Sequence, residues 1–543
     1  MKTARSAAKA KPPGIRQTMS DLHIWVGLLA GWILYAMFLT GTVSYFKDEI
    51  SQWMRPEVTA PATPLPAPEI AQRMVDTMAR IALDSSQWSI GLPHPRRPTA
   101  DVFWRTGNPG QGGRGFQSAT FDGMTAEPLE GLRDTDGGEF FYRFHFQLHY
   151  MSPFWGRWIA GLCAMFMLVA IISGVITHKK IFIDFFTFRW GKGQRSWLDA
   201  HNAVSVFGLP FHAMITYTGL VTLMLMYMPW GSDAALRDPG ARQAAFSEMS
   251  AFVPAGKPVG QPTPLTSVAD VVRQAQAHWG GAPVARVLVN NPGDASARIV
   301  VSQGERSRVS YSPHYIVFDG VSGAMLQAKD SVSGAAETRG VLYGLHLGRF
   351  ADLVSRWLYF IVSLAGTAMV GTGLVLWVTK RRQRLAAGER AHLGIRIVER
   401  LNVATIAGLS LAMTGMLWAN RLLPPGMAER AAWEIHVFFM VWGAALLYSL
   451  ARPVKRAWIE LLWASAGLLA LTPVLNALTT SRGLPGSLLA GDWTFAVFDL
   501  MLLAFAVLHA AIARRVTRHK PSAKPARRKP AADAARDTLE RPA

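Results

Sequence analysis

Long apolar stretches alternate with polar ones along this chain of 543 residues. Eight of the apolar runs carry few or no charges, at 24–46, 158–177, 203–228, 357–379, 398–419, 432–451, 457–478 and 495–513. Each is long enough to form a helix across a hydrocarbon core about 30 Å thick. Proline-rich linkers at 61–68 and 254–264 open the two long polar segments of the first half. A segment with apolar residues at helical spacing follows each linker, at 69–81 and 265–279. Strand-like segments come next, at 101–106 and 116–122 in the first case and at 285–290, 298–302 and 315–319 in the second. Phe121-Asp122-Gly123 and Phe318-Asp319-Gly320 read as strand-to-turn signals, with glycine supplying the permissive dihedral. The pattern predicts two small α+β modules set between membrane spans.

The two halves of this region repeat each other. Asp21-Leu22-His23 opens the first apolar run, which reaches Thr40-Gly41, and Asp199-Ala200-His201 opens the third, which reaches Thr218-Gly219. The step from His to Thr is 17 residues in both. The step from Asp122 to His149 and from Asp319 to His346 is 27 residues in both. The order span, polar module, span therefore occurs twice in the same orientation, a parallel repeat. Residues 393–513 stand apart as four further spans with short connections. The fold class expected is membrane all-α: a duplicated two-span unit with two α+β modules, plus a C-terminal four-helix membrane extension, about eight spans. The expected parts are a basic tail 1–20, span 21–46, module 47–148, span 149–178, loop 179–198, span 199–228, module 229–345, span 346–380, loop 381–396, extension 397–514 and basic tail 515–543.

The net charge of +20 is concentrated, not spread. Lys and Arg gather in 2–16, 179–195, 380–396, 452–456 and 514–541. With eight spans all five segments fall on one side, and the positive-inside rule makes that side cytoplasmic. Both modules and neither terminus are then outside. Topology thus accounts for the basic residues without nucleic acid. The Pro- and Ala-rich C-terminal tail reads as disordered and suited to anionic lipid. The first run is too long for a signal-peptide core and reads as a retained anchor. Cys163 is the one cysteine, which excludes intrachain disulfides, c-type haem attachment and iron–sulfur clusters held by this chain alone. No P-loop or Rossmann glycine motif is present, so nicotinamide or flavin chemistry is expected of a partner.

Ligand-capable residues in membrane spans are costly and point to function. Paired histidines on packed helices are what a bis-imidazole haem needs. Repeat symmetry pairs His149 with His346 at the outer face and His23 with His201 at the inner face. Asp21 and Asp199 are read either as groups orienting an imidazole or as helix N-caps. If their helices continue outward, His149 and His346 lie about 13–16 Å beyond the hydrocarbon core at ~1.5 Å per residue. That separation is too long for one efficient electron hop to the inner face. His212, within the third span, and His178, at the inner end of the second, are therefore alternative inner ligands. For His212 a hydrogen-bonded core role stays open, and for His178 an interface role. His145 reads as a supporting group or a gate near substrate, His436 and His509 as structural, and His94, His278, His314, His392 and His519 as surface residues. Met224, Met226 and Met228 read as a span end, not a copper site.

Several stretches resemble the PepSY-associated transmembrane family: Ser173-Gly174-Val175-Ile176-Thr177-His178-Lys179-Lys180, Trp197-Leu198-Asp199-Ala200-His201-Asn202 and Leu209-Pro210-Phe211-His212 through Thr218-Gly219. The resemblance covers roughly residues 15–385. It implies a bacterial inner-membrane protein with periplasmic PepSY-like modules. Characterised relatives resemble haem-containing ferric-siderophore reductases of iron uptake. The resemblance places His23, His149, His178, His201, His212 and His346 at the family's histidine positions and leaves their pairing open. It implies haem b, one for each pair, a ferric siderophore or other ferric chelate as substrate, and a cytoplasmic or membrane electron donor. A non-enzymatic membrane protein that binds or regulates a periplasmic partner is the alternative, and an iron or haem permease a weaker one.

Overall fold

A computed structural model describes residues 14–59, 64–106, 115–178, 189, 194–250, 253–304, 308–385 and 389–519. Residues 1–13 and 520–543 of the expected basic tails therefore lie outside the described residues, as does most of the loop 179–198, while 15–20 belong to the first helix. The first half begins with α1 (Ile15–Ser44), the short α2 (Lys47–Trp53) and α3 (Ala67–Ile81). Strands β1 (Gln87–Gly91), β2 (Thr99–Thr106) and β3 (Gly115–Asp122), then α4 (Gly137–Gln147) and α5 (Pro153–Thr177), complete it. The second half comprises α6 (Gln194–Phe207) and α7 (Leu209–Thr222), three short helices, then α8 (Val268–His278). After these come β4 (Val284–Asn290), β5 (Arg298–Gln303), β6 (Tyr315–Asp319), β7 (Met325–Lys329), α9 (Gly334–Leu347) and α10 (Leu353–Arg382). The C-terminal part is α11 (Leu393–Leu422), α12 (Arg430–Ala451), α13 (Val454–Thr479) and α14 (Trp493–Arg518).

Among the described residues seven helices are long and apolar enough to cross a membrane, and eight spans result if α6 and α7 count as one. The chain is thus a helical membrane protein carrying an antiparallel sheet. The third run departs from the single helix expected, because α6 and α7 meet at a 68° bend. Pro210, in the first turn of α7, has no N–H to continue the ladder and its ring clashes with the preceding turn. Gly208 sits at the corner, where a Cβ would stand 2.4 Å from the His212 ring.

All seven strands form one antiparallel sheet in the order β3-β2-β1-β4-β5-β6-β7. The halves join at its centre, where β1 pairs with β4 from Gln87↔Asn290 to Gly91↔Arg286. Helices α3 and α8 cover one face, burying Met74, Met78, Val271 and Val272 against Trp88, Ile90, Val102, Val287, Ile299 and Phe318. The opposite face of β1 to β3 carries Ser89, Gly91, Asp101, Phe103, Ser118 and Thr120 and looks into a cavity shared with the membrane helices. β1 and β7 were not legible as strands. β7 is exposed along its length and lacks an apolar alternation, and β1 spans only five residues.

α4 does not run outward from α5. Leu148 and Tyr150 take left-handed dihedrals, φ 56° and 55°, so the chain reverses between the helices and α4 lies along α1. Gly156 makes room for this turn, since a Cβ there would overlap the Gln147 carbonyl. α9 ends likewise at Gly348 with φ 61° and lies along α7.

A buried polar network ties the C-terminal helices to the rest. Arg430 and Glu434 form a fully buried ion pair. Asn420 donates to Glu434 and to the Met54 carbonyl, and Thr135 donates to Glu434. The Trp53 indole donates to Asp499 at 3.0 Å, and Asn476 donates to the same carboxylate.

Candidate cofactor site

Four histidines form two facing pairs. The rings of His23 on α1 and His201 on α6 lie with centroids 6.2 Å apart. Those of His145 on α4 and His346 on α9 lie 6.1 Å apart. Two imidazoles on opposite sides of one metal ion, with metal–nitrogen bonds of about 2 Å, bring their ring centres about 6 Å apart. Rings packed without an intervening ion also span about 4.5–7 Å, so the separation is compatible with a shared metal and the ring nitrogens decide the matter.

All four rings are held in the same way. Nδ1–H of His23 donates to the Ala170 carbonyl at 2.8 Å, and that of His201 to Met369 at 3.0 Å. Nδ1–H of His145 donates to Met37 at 2.7 Å, and that of His346 to Ile215 at 3.0 Å. Because each acceptor is a carbonyl, each Nδ1 must carry the proton, which fixes the tautomer and leaves Nε2 with its lone pair free. Among the described residues none of these Nε2 atoms has a hydrogen-bond partner. Neutral imidazole is the form that ligates a metal.

The receiving helix supplies a repeated cradle. Three residues after each acceptor carbonyl comes a Ser or Thr whose hydroxyl donates to that same carbonyl: Ser173, Thr372, Thr40 and Thr218. Next comes a glycine against the imidazole edge. A Cβ at Gly41 would stand 2.7 Å from His145, at Gly219 2.8 Å from His346, and at Gly174 or Gly373 3.2 Å from His23 or His201. Each cradle lies on the partner span of the same half: α5 holds His23, α1 holds His145, α10 holds His201 and α7 holds His346.

The sequence expectations divide accordingly. His23 and His201 face each other, as repeat symmetry suggests. His346 faces His145 and not His149. His149 lies against Phe439, with centroids 5.5 Å apart, and beside Tyr150, whose hydroxyl bonds His436. Counting forward from Phe-Asp-Gly selects His149. Counting back from the next span selects His145, eight residues before Pro153, as His346 stands seven before Leu353. The reversal of α4 also brings this pair to the level of Gly41 inside α1, instead of well outside the core. Gly41 is 18 residues from His23, about 27 Å along the helix at about 1.5 Å per residue.

His178 caps α5 within electrostatic reach of His23 and His201. His212 is buried between the two pairs. Its Nε2–H donates to the Val362 carbonyl at 3.2 Å and its Nδ1 has no partner. No second histidine ring faces His212 among the described residues; its aromatic neighbours are Phe38 and Phe211. His509 donates to Phe505 one turn back, as a structural histidine does.

A cavity of about 1320 Å³ extends from His145 and His346 to the open face of the sheet. Its membrane-level wall is largely apolar, with Leu34, Phe38, Ala160, Ala164, Met167 and Leu223, a lining that suits a flat macrocycle. The free Nε2 atoms, the ring separation and this wall together fit a haem between His145 and His346. A similar ring separation, at an interplanar angle of 69° in place of 27°, and free Nε2 atoms are compatible with a haem between His23 and His201.

The sequence profile of the PepSY-associated TM region matches residues 20–380. The chain belongs to this family. The matched segment takes in all four facing histidines, their four cradles and the whole sheet, and ends before α11. No curated protein matches the chain. For this PepSY-associated TM protein the family thus accounts for the paired-histidine unit and leaves α11 to α14 outside it.

Proposed function

We propose that this protein is a haem-containing membrane reductase that moves electrons across the membrane to a ferric chelate. The observation that carries the reading is that every Nδ1–H of the two facing pairs is tied to a carbonyl, which leaves four Nε2 lone pairs free. His23 with His201 and His145 with His346 would each hold a haem b, which supplies one-electron redox chemistry. The carbonyls of Ala170, Met369, Met37 and Ile215 orient the ligands and raise their basicity. A purely anchoring role leaves these orienting contacts without a purpose.

The rest of the reading follows from the charge pattern. The basic loops mark the cytoplasmic side, so the termini lie there and the sheet lies in the periplasm of a bacterial inner membrane. The two halves are a duplicated unit with PepSY-like modules fused through β1 and β4. A cytoplasmic or membrane donor delivers electrons near His23 and His201. On the periplasmic side a ferric siderophore, or another ferric chelate, takes one electron. Hard iron(III) is held tightly by oxygen donors and iron(II) less so, so the electron releases the metal with no chelator bond broken.

The test is to reduce the purified protein with dithionite, remove the excess, and follow the Soret and α bands as ferric chelates are added. Reoxidation at a rate that rises with chelate concentration supports the reading. Bands that stay reduced in the presence of every ferric chelate contradict it.

A further inference from the structure

The cavity above His145 and His346 has a chemical bias. Eight cationic side chains and five carboxylates line it. Most of the cations are answered locally: Lys47 by Glu139 at 2.8 Å, Arg97 by Asp101 at 2.6 Å and Arg143 by Asp136 at 3.2 Å. Two are not. Arg286, exposed on β4 at the centre of the sheet, makes no ion pair among the described residues. Arg55 donates through one terminal nitrogen to the Thr135 carbonyl, while its Nε is buried with no acceptor.

The roof of the cavity adds an aromatic feature. Arg286 is directly opposite Gly91, and Gly91 directly opposite Asp101, so the guanidinium stands beside a bare notch in the sheet. Two residues along β2, Phe103 projects from the same face and is 48% exposed inside the cavity. A large apolar ring left open on a strand, next to an unpaired guanidinium, suits a ligand that is both anionic and aromatic.

We propose that this vestibule receives an anionic aromatic chelate of iron(III), of the tricatecholate kind, with Arg286 and Phe103 setting its specificity. The inference rests on the reading of the protein as a ferric-chelate reductase and names its substrate class. Catecholate oxygens meet the guanidinium of Arg286. Catechol rings lie against Phe103. A trihydroxamate chelate, uncharged and aliphatic at the metal, satisfies neither contact.

The experiment is isothermal titration of the full-length protein in detergent with gallium(III) complexes, which match iron(III) in charge but are not reduced. The gallium tricatecholate is expected to bind about tenfold or more tightly than the gallium trihydroxamate, and more weakly as salt rises. Arg286→Ala is expected to weaken it about tenfold, as loss of one charge-assisted contact does, and Arg286→Lys to restore part of the affinity. Phe103→Ala is expected to weaken the tricatecholate alone. Equal affinity for the two complexes, or unchanged tricatecholate binding in both Arg286→Ala and Phe103→Ala, overturns the inference. A protein that carries haem yet binds the trihydroxamate as tightly overturns this inference alone. A protein that lacks haem yet prefers the tricatecholate overturns the reductase reading alone.

Discussion

His145 and His149 are four residues apart, and the account separates them completely. His145 hangs its Nδ1–H on Met37 and faces His346, whereas His149 stacks on Phe439 away from both pairs. His145→Ala is therefore expected to remove one haem's worth of Soret absorbance, and His149→Ala to leave haem content within error of the parent. Pyridine haemochrome assay per mole of protein reads both. The cradle glycines make a second residue-scale prediction. A methyl at Gly41 or Gly219 would sit under 3 Å from an imidazole whose carbonyl and opposing ring both fix it. Overpacking of this kind costs about 1–3 kcal/mol. Gly41→Ala is expected to lower haem retention and shift the spectrum of one haem, while Gly27→Ala on the same helix, where nothing lies within 4 Å, is silent. At this scale the sequence displayed the histidines and half of the cradles, Thr40-Gly41 and Thr218-Gly219. Ser173-Gly174 and Thr372-Gly373 carry the same chemistry, but only contact across helices reveals that the dipeptide belongs to the ring it receives.

Among the elements, the long helices were legible because an uninterrupted apolar run has one solution in a membrane. Their ends were less so: α1 begins at Ile15 and α14 extends to Arg518, since polar residues continue a helix beyond the hydrocarbon core. The bend between α6 and α7 and the reversal after α4 hinge on Pro210 and on left-handed Leu148 and Tyr150, single positions that a periodicity average passes over. The buried network of α11 to α14 was invisible for another reason. Glu434 and Asp499 are isolated charges in the sequence and meet Arg430, Asn420, Asn476 and Trp53 only after packing. Removing one partner of a buried ion pair costs about 3–5 kcal/mol, because the other charge is stranded. Glu434→Ala is expected to lower the thermal unfolding midpoint in detergent substantially, and the paired replacement Arg430→Met with Glu434→Leu to recover part of it, since Asn420 and Thr135 still lose their acceptor. Equal losses in the single and double variants would remove the ion pair from the account.

Before α11 the segments 15–177 and 194–382 meet twice, through β1 with β4 in the sheet and through each imidazole pair. Every facing pair takes one histidine from each half, so neither half alone completes a site. The positive-inside argument puts the sheet and the basic loops on opposite sides. A cysteine at Ser322, exposed in the turn before β7, is expected to react with a membrane-impermeant maleimide in intact spheroplasts, and one at Arg390 only after lysis. Native Cys163 is buried and gives little background. The measurement that bears most directly on the central claim is the haem content of the purified full-length chain, read by pyridine haemochrome and a dithionite-minus-oxidised spectrum. The account predicts haem b at one per imidazole pair, with His201→Ala and His346→Ala each removing a different one. A colourless protein, or haem content unchanged in both variants, would contradict it.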